Sequence, residues 1–127
     1  MKYLVGLVVV FILAFSIKKL NAFRMAQQSC FQNIDNENFK KIEKSGEGII
    51  LDVRTKAEFN AGNIKNAINI DVTDISFATK INELDKSKKY LVYCRSGARS
   101  LRACSAMCDA GFKEVFNLSN GFMGWSE

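Results

Sequence analysis

The chain has 127 residues and a formal net charge of +5, from 18 basic and 13 acidic residues. A nucleic-acid partner would favour a larger, clustered basic excess, so we expect none. The sequence contains no histidine, which excludes sites that use imidazole as a catalytic base or a metal ligand. Its four cysteines form no Cys-x-x-Cys pair, which argues against a zinc knuckle or a thioredoxin-like redox pair.

The first 22 residues are predicted to direct the chain to a membrane. Met1 and Lys2 precede an apolar run of 15 residues, 3–17, whereas a membrane-spanning helix needs about 20. The charged start, the short run and the small residue Ala22 are typical of a secretory signal peptide. We therefore predict a signal peptide at 1–22, a linker at 23–30 and a domain at 31–127, with the mature protein periplasmic or secreted.

An uncleaved inner-membrane anchor is the alternative interpretation. Lys18, Lys19 and Arg24 then slightly outweigh Lys2 and the amino terminus, and the positive-inside rule would place the domain in the cytoplasm. We favour export because the apolar run is short. Membrane contact is expected only if the segment stays uncleaved.

Beyond residue 30, predicted strands alternate with predicted helices. Strands are expected at 31–34, 49–53, 67–70, 90–93 and 115–118. Asp35 and Thr55 are predicted helix N-caps, a helix of about ten residues carries Phe77, Ile81 and Leu84, another runs from the 95–99 loop to about Ala110, and a short one begins near residue 121. This alternation predicts an α/β fold with a parallel sheet of about five strands and helices on both faces. Ligands bind at the carboxyl ends of such strands, where Cys94 lies.

The segment from Cys94 to Ser100 is the predicted reactive site. Without histidine, a thiolate here depends on a helix N-terminus, whose free amides and dipole favour an anion. Gly97 allows a tight backbone turn. The amides of the segment Arg95, Ser96, Gly97, Ala98 and Arg99 can then surround the Cys94 sulfur and the group bound to it. Arg95 and Arg99 add positive charges that can bind oxyanions. We predict that Cys94 is the catalytic residue and that 95–99 bind substrate.

Four motifs give the chain a specific resemblance. They are LDVR at 51–54 followed by EF at 58–59, GNIKNAINI at 62–70, YCRSGARS at 93–100 and GFMGW at 121–125. In this order they resemble the signatures of a single-domain, exported rhodanese, a thiosulfate sulfurtransferase homologue. The resemblance implies an enzyme that moves a sulfane sulfur from thiosulfate or a related donor through a Cys94 persulfide to a thiol or cyanide. It implies no cofactor and no metal, and we expect a monomer.

Two other functions stay open. Rhodanese-like phosphatases and arsenate reductases are similar to this family but have a loop one residue longer, with arginine six positions after the cysteine. Here that position is Ser100 and Arg99 is the fifth, which favours sulfur transfer over phosphate chemistry. A non-enzymatic persulfide carrier that delivers sulfur to a partner is the second alternative, since the same loop serves both.

The remaining residues are predicted to be structural. Asp52 and Arg54 are expected to form an ion pair that supports the site, with Glu58 bracing Arg54 from four residues further on. Leu101, Cys104 and Cys108 recur on one helix face and are expected to be core residues, with a resolving thiol the less favoured interpretation. Phe122 and Trp125 are expected to anchor the last helix by packing. Cys30 has no identifiable partner.

Overall fold

The computed structural model of the chain describes residues 2–28 and 30–127. A long first helix, α1, precedes five strands, four further helices and a closing 3₁₀ turn. The elements are α1 Lys2–Gln28, β1 Phe31–Ile34, α2 Asn36–Lys44, β2 Gly48–Asp52, α3 Lys56–Ala61, β3 Ile68–Asn69, α4 Phe77–Asn82, β4 Lys89–Tyr93, α5 Ala98–Asp109, β5 Glu114–Leu118 and the 3₁₀ turn Phe122–Gly124.

The five strands form one sheet in the order β1-β5-β4-β2-β3, and every neighbouring pair is parallel. The central strand β4 is buried on both faces, because Leu91 packs into one apolar cluster and Val92 into another on the opposite side. Such continuous apolar strands are typical of a parallel sheet covered by helices. The predicted fold class is therefore confirmed, and β1 lies at one edge of the sheet.

Side-chain caps fix where the helices around the site begin. Asp35 caps α2 by accepting a hydrogen bond from the Asn38 amide at 2.9 Å. Thr55 caps α3 in a capping box. Its hydroxyl accepts a hydrogen bond from the Glu58 amide, and the Glu58 carboxylate accepts one from the Thr55 amide. Both predicted caps are present in the structure.

Three elements are shorter than the sequence predicted. β3 spans two residues, α4 spans six where about ten were expected, and the last turn is a 3₁₀ turn. The segment before α4 is occupied by two local turns, in which Asp71 accepts from the Thr73 amide and Asp74 from the Ser76 amide, each at 2.8 Å. Since such side chains compete with helical hydrogen bonds, α4 starts late.

The N-terminal helix α1 continues to Gln28, into the segment predicted as a linker. Its window Tyr3–Ala22 has 20 residues, a mean hydropathy of 2.1 and no burial against the rest of the chain. By length and composition it could cross a membrane, and a signal sequence near an N-terminus has the same properties. The helix therefore fits a signal peptide and an anchor equally.

Candidate active site

Cys94 lies at the carboxyl edge of the sheet, directly after β4. The amide of Val53 donates to the Tyr93 carbonyl at 3.0 Å, so β2 and β4 stay paired up to that edge. The chain then turns through Arg95 and Ser96, and α5 begins at Ala98. Cys94 is only 1% exposed. The topology therefore places a buried thiol between a strand end and a helix N-terminus.

Hydrogen bonds from the loop converge on the Cys94 sulfur. The Gly97 amide donates to Sγ at 3.1 Å, and Sγ lies 3.3 Å from the Ser100 hydroxyl, which itself donates to the Gly97 carbonyl at 3.0 Å. Burial alone raises the pKa of the thiol. In the thiolate form, hydrogen bonds from Ser100, whose hydroxyl can turn from the Gly97 carbonyl to the sulfur, and from Gly97 and Ser96 lower it by more, so the pKa of Cys94 lies below its ordinary value. Ser100 had no predicted role.

Gly97 has a backbone conformation that residues with a side chain rarely adopt. Its φ is +103°, and a Cβ built there would lie 2.4 Å from the carbonyl oxygen of Ser119. A side chain would therefore be strained by the backbone conformation and blocked by the chain that follows β5. Both the positive φ and the close Ser119 carbonyl therefore require glycine at this position.

The chain that follows β5 also forms backbone hydrogen bonds with the cysteine loop. The Phe122 amide donates to the Cys94 carbonyl at 2.8 Å and the Met123 amide to the Arg95 carbonyl at 3.0 Å. Gly121 permits this approach, because its Cβ would lie 2.4 Å from the Arg95 carbonyl oxygen. Only packing was predicted for this C-terminal motif. Its backbone in fact satisfies two carbonyls of the cysteine loop.

Arg99 is engaged by a carboxylate. Its two terminal nitrogens donate to Glu58 at 2.7 and 2.9 Å, a bidentate pair between α5 and α3. The Arg99 guanidinium lowers the pKa of the Glu58 carboxyl to about 2, and hydrogen bonds from Thr55 add to the effect. The prediction that Glu58 braces Arg54 is therefore wrong. The i,i+4 spacing suggested a helical pair, but Arg54 precedes the N-cap of α3 and points elsewhere.

Arg54 joins the predicted ion pair with Asp52, buried beneath the site. Asp52 accepts from the Arg54 Nη2 at 2.7 Å and from the hydroxyl of Tyr93 at 2.6 Å. Arg54 also donates to the Gly62 carbonyl at 2.6 Å, and its guanidinium carbon lies 4.4 Å from the centre of the Phe122 ring. Burial and the bond to Asp52 raise the pKa of Tyr93, which keeps its hydroxyl a donor. This tyrosine was missed, although its place just before Cys94 was a signal.

Comparison with known proteins agrees with this geometry. The family model of the Rhodanese-like domain matches residues 35–127. The chain belongs to the rhodanese-like domain family. A protein of Allochromatium vinosum named a sulfurtransferase is 32% identical over 73% of this chain and 86% of its own length. The crystal structure of a rhodanese-related protein from Thermoplasma volcanium superposes with a TM-score of 0.65 at 30% identity, over 74% of this chain and 89% of that one.

A different activity is named for another relative. The tRNA uridine(34) hydroxylase of Cytophaga hutchinsonii is 34% identical over 72% of this chain. The chain spans only 30% of the length of that hydroxylase. Together the comparisons confirm the resemblance to rhodaneses and support sulfur transfer as the general activity of the domain.

An open cavity of about 290 Å³, called the mouth below, lies beside the cysteine loop of this rhodanese-like domain. It is lined by Arg54, Glu58, Ala61, Gly62, Arg95, Phe122 and Met123. Arg95 is exposed at this mouth, and among the described residues no carboxylate forms an ion pair with it. Of the two arginines in the loop, Arg95 is thus the one free to meet a ligand. No cluster of three potential metal ligands occurs among the described residues.

Of the other three cysteines, two form a disulfide and one is a free buried thiol. Cys108 forms a disulfide with Cys30, so the prediction that Cys108 is a free core thiol is wrong. Cys104 is fully buried and free, and burial raises its pKa to about 12, with a smaller effect from Cys94. Leu101, expected in the same apolar stripe, is 38% exposed. Of the three residues predicted to form this apolar stripe, Cys104 alone is fully buried in the core.

Proposed function

We propose that the domain is a sulfurtransferase in which Cys94 carries the transferred sulfur as a persulfide. The support comes from the Cys94 sulfur itself, which accepts the Gly97 amide at 3.1 Å, at the start of α5. A thiolate is the nucleophilic form of cysteine. The loop lowers the pKa of Cys94 with hydrogen bonds alone, in a chain that has no histidine.

In the first step, the Cys94 thiolate attacks the outer sulfur of thiosulfate or a related donor. The new bond joins Cys94 Sγ to that sulfur, the sulfur–sulfur bond of the donor breaks, and sulfite leaves with the bonding electron pair. The persulfide keeps one negative charge. Loop amides that surround the thiolate are placed to stabilise that charge as well.

In the second step, a thiophilic acceptor takes the outer sulfur. Cyanide attacks it, thiocyanate leaves, and the Cys94 thiolate is restored, so charge and atoms balance. A thiol acceptor follows the same course and gives a new persulfide. The mouth cavity supports an organic thiol as the cellular acceptor, because Met123, Phe122 and Ala61 line it with apolar surface.

Substrate binding is assigned mainly to Arg95. Its unpaired charge at the mouth suits the sulfonate of thiosulfate, and the backbone of the loop Ser96, Gly97 and Ala98 completes the cradle. Arg99 acts in this proposal through its charge beside the loop, with Glu58 holding its guanidinium in place. Asp52 and Arg54 support the site from below.

Phosphate chemistry is less well supported. A phosphatase of this kind needs an arginine that grips the phosphate oxygens at the end of the loop. Arg99 ends the loop here, and both of its terminal nitrogens are bound to Glu58. We therefore expect negligible hydrolysis of aryl phosphates by the unmodified protein.

The proposal is tested by loading the protein with thiosulfate in the absence of an acceptor. Intact-mass measurement should show a gain of about 32 Da, one sulfur, and peptide mapping should place it on Cys94. Cyanide should then remove the mass and release thiocyanate. Cys94→Ser should stay folded and gain no sulfur, while Cys104→Ser serves as the matched control and loads normally. Loading of Cys94→Ser would refute the assignment.

Repeated turnover separates an enzyme from a carrier. With thiosulfate and cyanide in excess, an enzyme releases many equivalents of thiocyanate. A dedicated carrier releases about one equivalent and then waits for its partner protein. We expect many equivalents, because the open cavity that Arg95 lines lies one residue along the chain from Cys94 and has room for small molecules.

For the whole chain, we propose residues 1–22 as a signal peptide, with a membrane anchor as the alternative, and the sulfurtransferase domain at 31–127. The mature protein is then periplasmic or secreted. The apolar window Tyr3–Ala22 supports a targeting role. N-terminal sequencing of the protein from soluble and membrane fractions tests it: a mature chain starting at Phe23 indicates cleavage, and a chain starting at Met1 in the membrane indicates an anchor.

A further inference from the structure

The disulfide between Cys30 and Cys108 joins two parts of the chain that are 78 residues apart. Cys30 lies one residue before β1, and Cys108 lies in the last turn of α5. Their Cα atoms are 5.7 Å apart, within the usual range for a disulfide. Cys30 is also held by its backbone, because the Val115 amide donates to its carbonyl at 3.2 Å. The pairing thus agrees with contacts that do not involve sulfur.

We propose that this disulfide forms in the cell, outside the cytoplasm, and fixes the end of α1 at the sheet edge opposite Cys94. Disulfides persist in oxidising compartments and are rare in the cytoplasm. An anchor that left the domain in the cytoplasm would keep both cysteines reduced. The disulfide therefore favours an exported domain, whether or not the segment before residue 23 is removed.

Its formation requires an oxidant of a common class. The Cys30 and Cys108 thiols lose two protons and two electrons, and an oxidised dithiol protein of the compartment accepts both electrons by thiol–disulfide exchange. One thiolate attacks the disulfide of the oxidant and forms a mixed disulfide with it. The second thiolate then attacks the sulfur of the first cysteine, which breaks the mixed disulfide and releases the oxidant as a dithiol. Cys104 cannot easily replace either partner, because it is fully buried and its pKa is raised to about 12.

The parallel sheet sets the direction in which the active site faces. β1 and β4 run the same way in one sheet, Cys30 precedes β1, and Cys94 follows β4. The two cysteines therefore lie at opposite edges. Between them α5 rises about 15 Å from Ala98 to Cys108.

The end of α1 is confined to the Cys30 edge. Gln28 is two residues from Cys30, a reach of at most about 7 Å along the chain. With Cys30 bound to α5 and to β5, that short segment cannot carry the helix round to the Cys94 edge. If α1 is retained in a membrane, the mouth beside Cys94 opens away from the bilayer, and sulfur donors and acceptors reach it from the aqueous phase.

The same bond protects the thiol chemistry, a point that rests on the proposed function. Cys30 and Cys108 are both half-buried, whereas the two free cysteines are buried. Pairing the two more exposed thiols leaves Cys94 as the only cysteine with a reactive environment. In an oxidising compartment this removes two internal thiols that could otherwise capture its sulfur.

Thiol counting tests whether the bond forms. The full chain is expressed with its own N-terminal segment, quenched in acid, denatured without reductant and alkylated with N-ethylmaleimide. We expect two modified cysteines, Cys94 and Cys104, and a linked peptide pair containing Cys30 and Cys108. A chain lacking residues 2–22, made in the cytoplasm, should show four modified cysteines. Four modified cysteines in the exported chain, or a different linked pair, would overturn the proposal.

A stability measurement keeps the test independent of variant folding. Reductant should lower the melting temperature of the exported protein by about 10 °C or more. Cys30→Ser should have this lower value already and show no further response, while Cys104→Ser should respond as the wild type does. An exported protein whose melting temperature ignores reductant contradicts the proposal. None of these readouts involves thiosulfate, so they can fail while sulfur loading on Cys94 succeeds, and the reverse.

The single tryptophan reports the orientation. Trp125 packs edge-on against Phe39 in the first half of α2, which begins at the Cys94 edge. The full chain is placed in phosphatidylcholine vesicles whose acyl chains carry bromine, a short-range quencher. We expect tryptophan fluorescence equal to that in unbrominated vesicles. Strong quenching by the brominated lipid would place this edge at the membrane and refute the orientation.

Discussion

Helix α5 has a sulfur site at each end, and the two sites have opposite chemistry. At its N-terminus, Cys94 is a free thiol whose sulfur accepts the Gly97 amide at 3.1 Å. At its C-terminus, Cys108 is locked in a disulfide with Cys30. The first end offers unpaired amides that stabilise a thiolate, and the second offers none.

The cysteine in the middle of the same helix has neither unpaired amides beside it nor a disulfide partner. Cys104 lies four residues after Ser100 and four before Cys108, where backbone amides are already bonded within the helix. Burial raises its pKa to about 12, so it stays a neutral thiol. The position of a cysteine along one helix therefore decides whether it is reactive, inert or cross-linked.

The largest combined effect on stability and sulfur loading is expected from a methyl group at the reactive end. Gly97→Ala places a Cβ 2.4 Å from the Ser119 carbonyl oxygen at a φ of +103°. We expect the free energy of unfolding to fall by about 3 kcal/mol and sulfur loading to be lost, because the Gly97 amide can no longer reach Cys94. Denaturant unfolding and intact mass measure the two effects.

The opposite end of α5 provides the matched control. Gly111 has a φ of +95°, but a Cβ there meets nothing within 4 Å. Gly111→Ala should therefore cost only the backbone strain, about 1–2 kcal/mol, with normal sulfur loading. Equal effects of the two substitutions would show that strain alone, and not the close approach to Ser119, explains the loss.

The second effect concerns the free charge at the mouth. Arg95→Ala should raise the KM for thiosulfate and lower kcat/KM about ten- to a hundredfold, the effect of losing a charge-assisted contact. Alkylation of Cys94 by a neutral reagent should change little, because hydrogen bonds from Ser100, Gly97 and Ser96 lower its pKa and Arg95 makes none of them. Arg102→Ala, an exposed arginine further along α5, is the control. An unchanged KM would remove Arg95 from substrate binding.

Most of the fold could be predicted because it depends on local patterns. Continuous apolar runs predicted β2 and β4, and Asp35 and Thr55 predicted the starts of α2 and α3. The length of α4 could not be predicted as well, since the Asp71 and Asp74 side chains compete with the helix for backbone amides. Periodicity alone does not reveal that competition.

The site was predicted where its chemistry is contiguous in sequence. The loop after Cys94 carries its own amides and arginines, so its character was visible. The partner of Glu58 was not, because Arg99 is 41 residues away and meets it only in the folded domain. The same holds for Cys30 and Cys108, and for the bond from Tyr93 to Asp52. Such long-range pairs depend on topology, which spacing does not specify.

A smaller effect is expected from removing the Ser100 hydroxyl. Because this hydroxyl helps to lower the pKa of Cys94, Ser100→Ala should raise that pKa. The thiolate fraction then rises only at higher pH, so the pH profile for alkylation by iodoacetamide should move to higher pH and the rate at pH 7 should fall severalfold. The exposed Ser105→Ala is the control. A profile that stays in place would assign the low pKa to the amides alone.

The smallest effect is expected in the middle of the helix. Cys104→Ala removes one buried sulfur atom that makes no bond to Cys94, so it leaves a small cavity and should cost on the order of 1–2 kcal/mol. Sulfur loading, thiocyanate release and the response of the melting temperature to reductant should all stay as in the wild type. Cys108→Ala, one turn further on, breaks the disulfide and should cost more, about 2–5 kcal/mol. If Cys104→Ala instead abolished turnover in a folded protein, Cys104 would be a resolving thiol that receives sulfur from Cys94, and the helix would carry a relay.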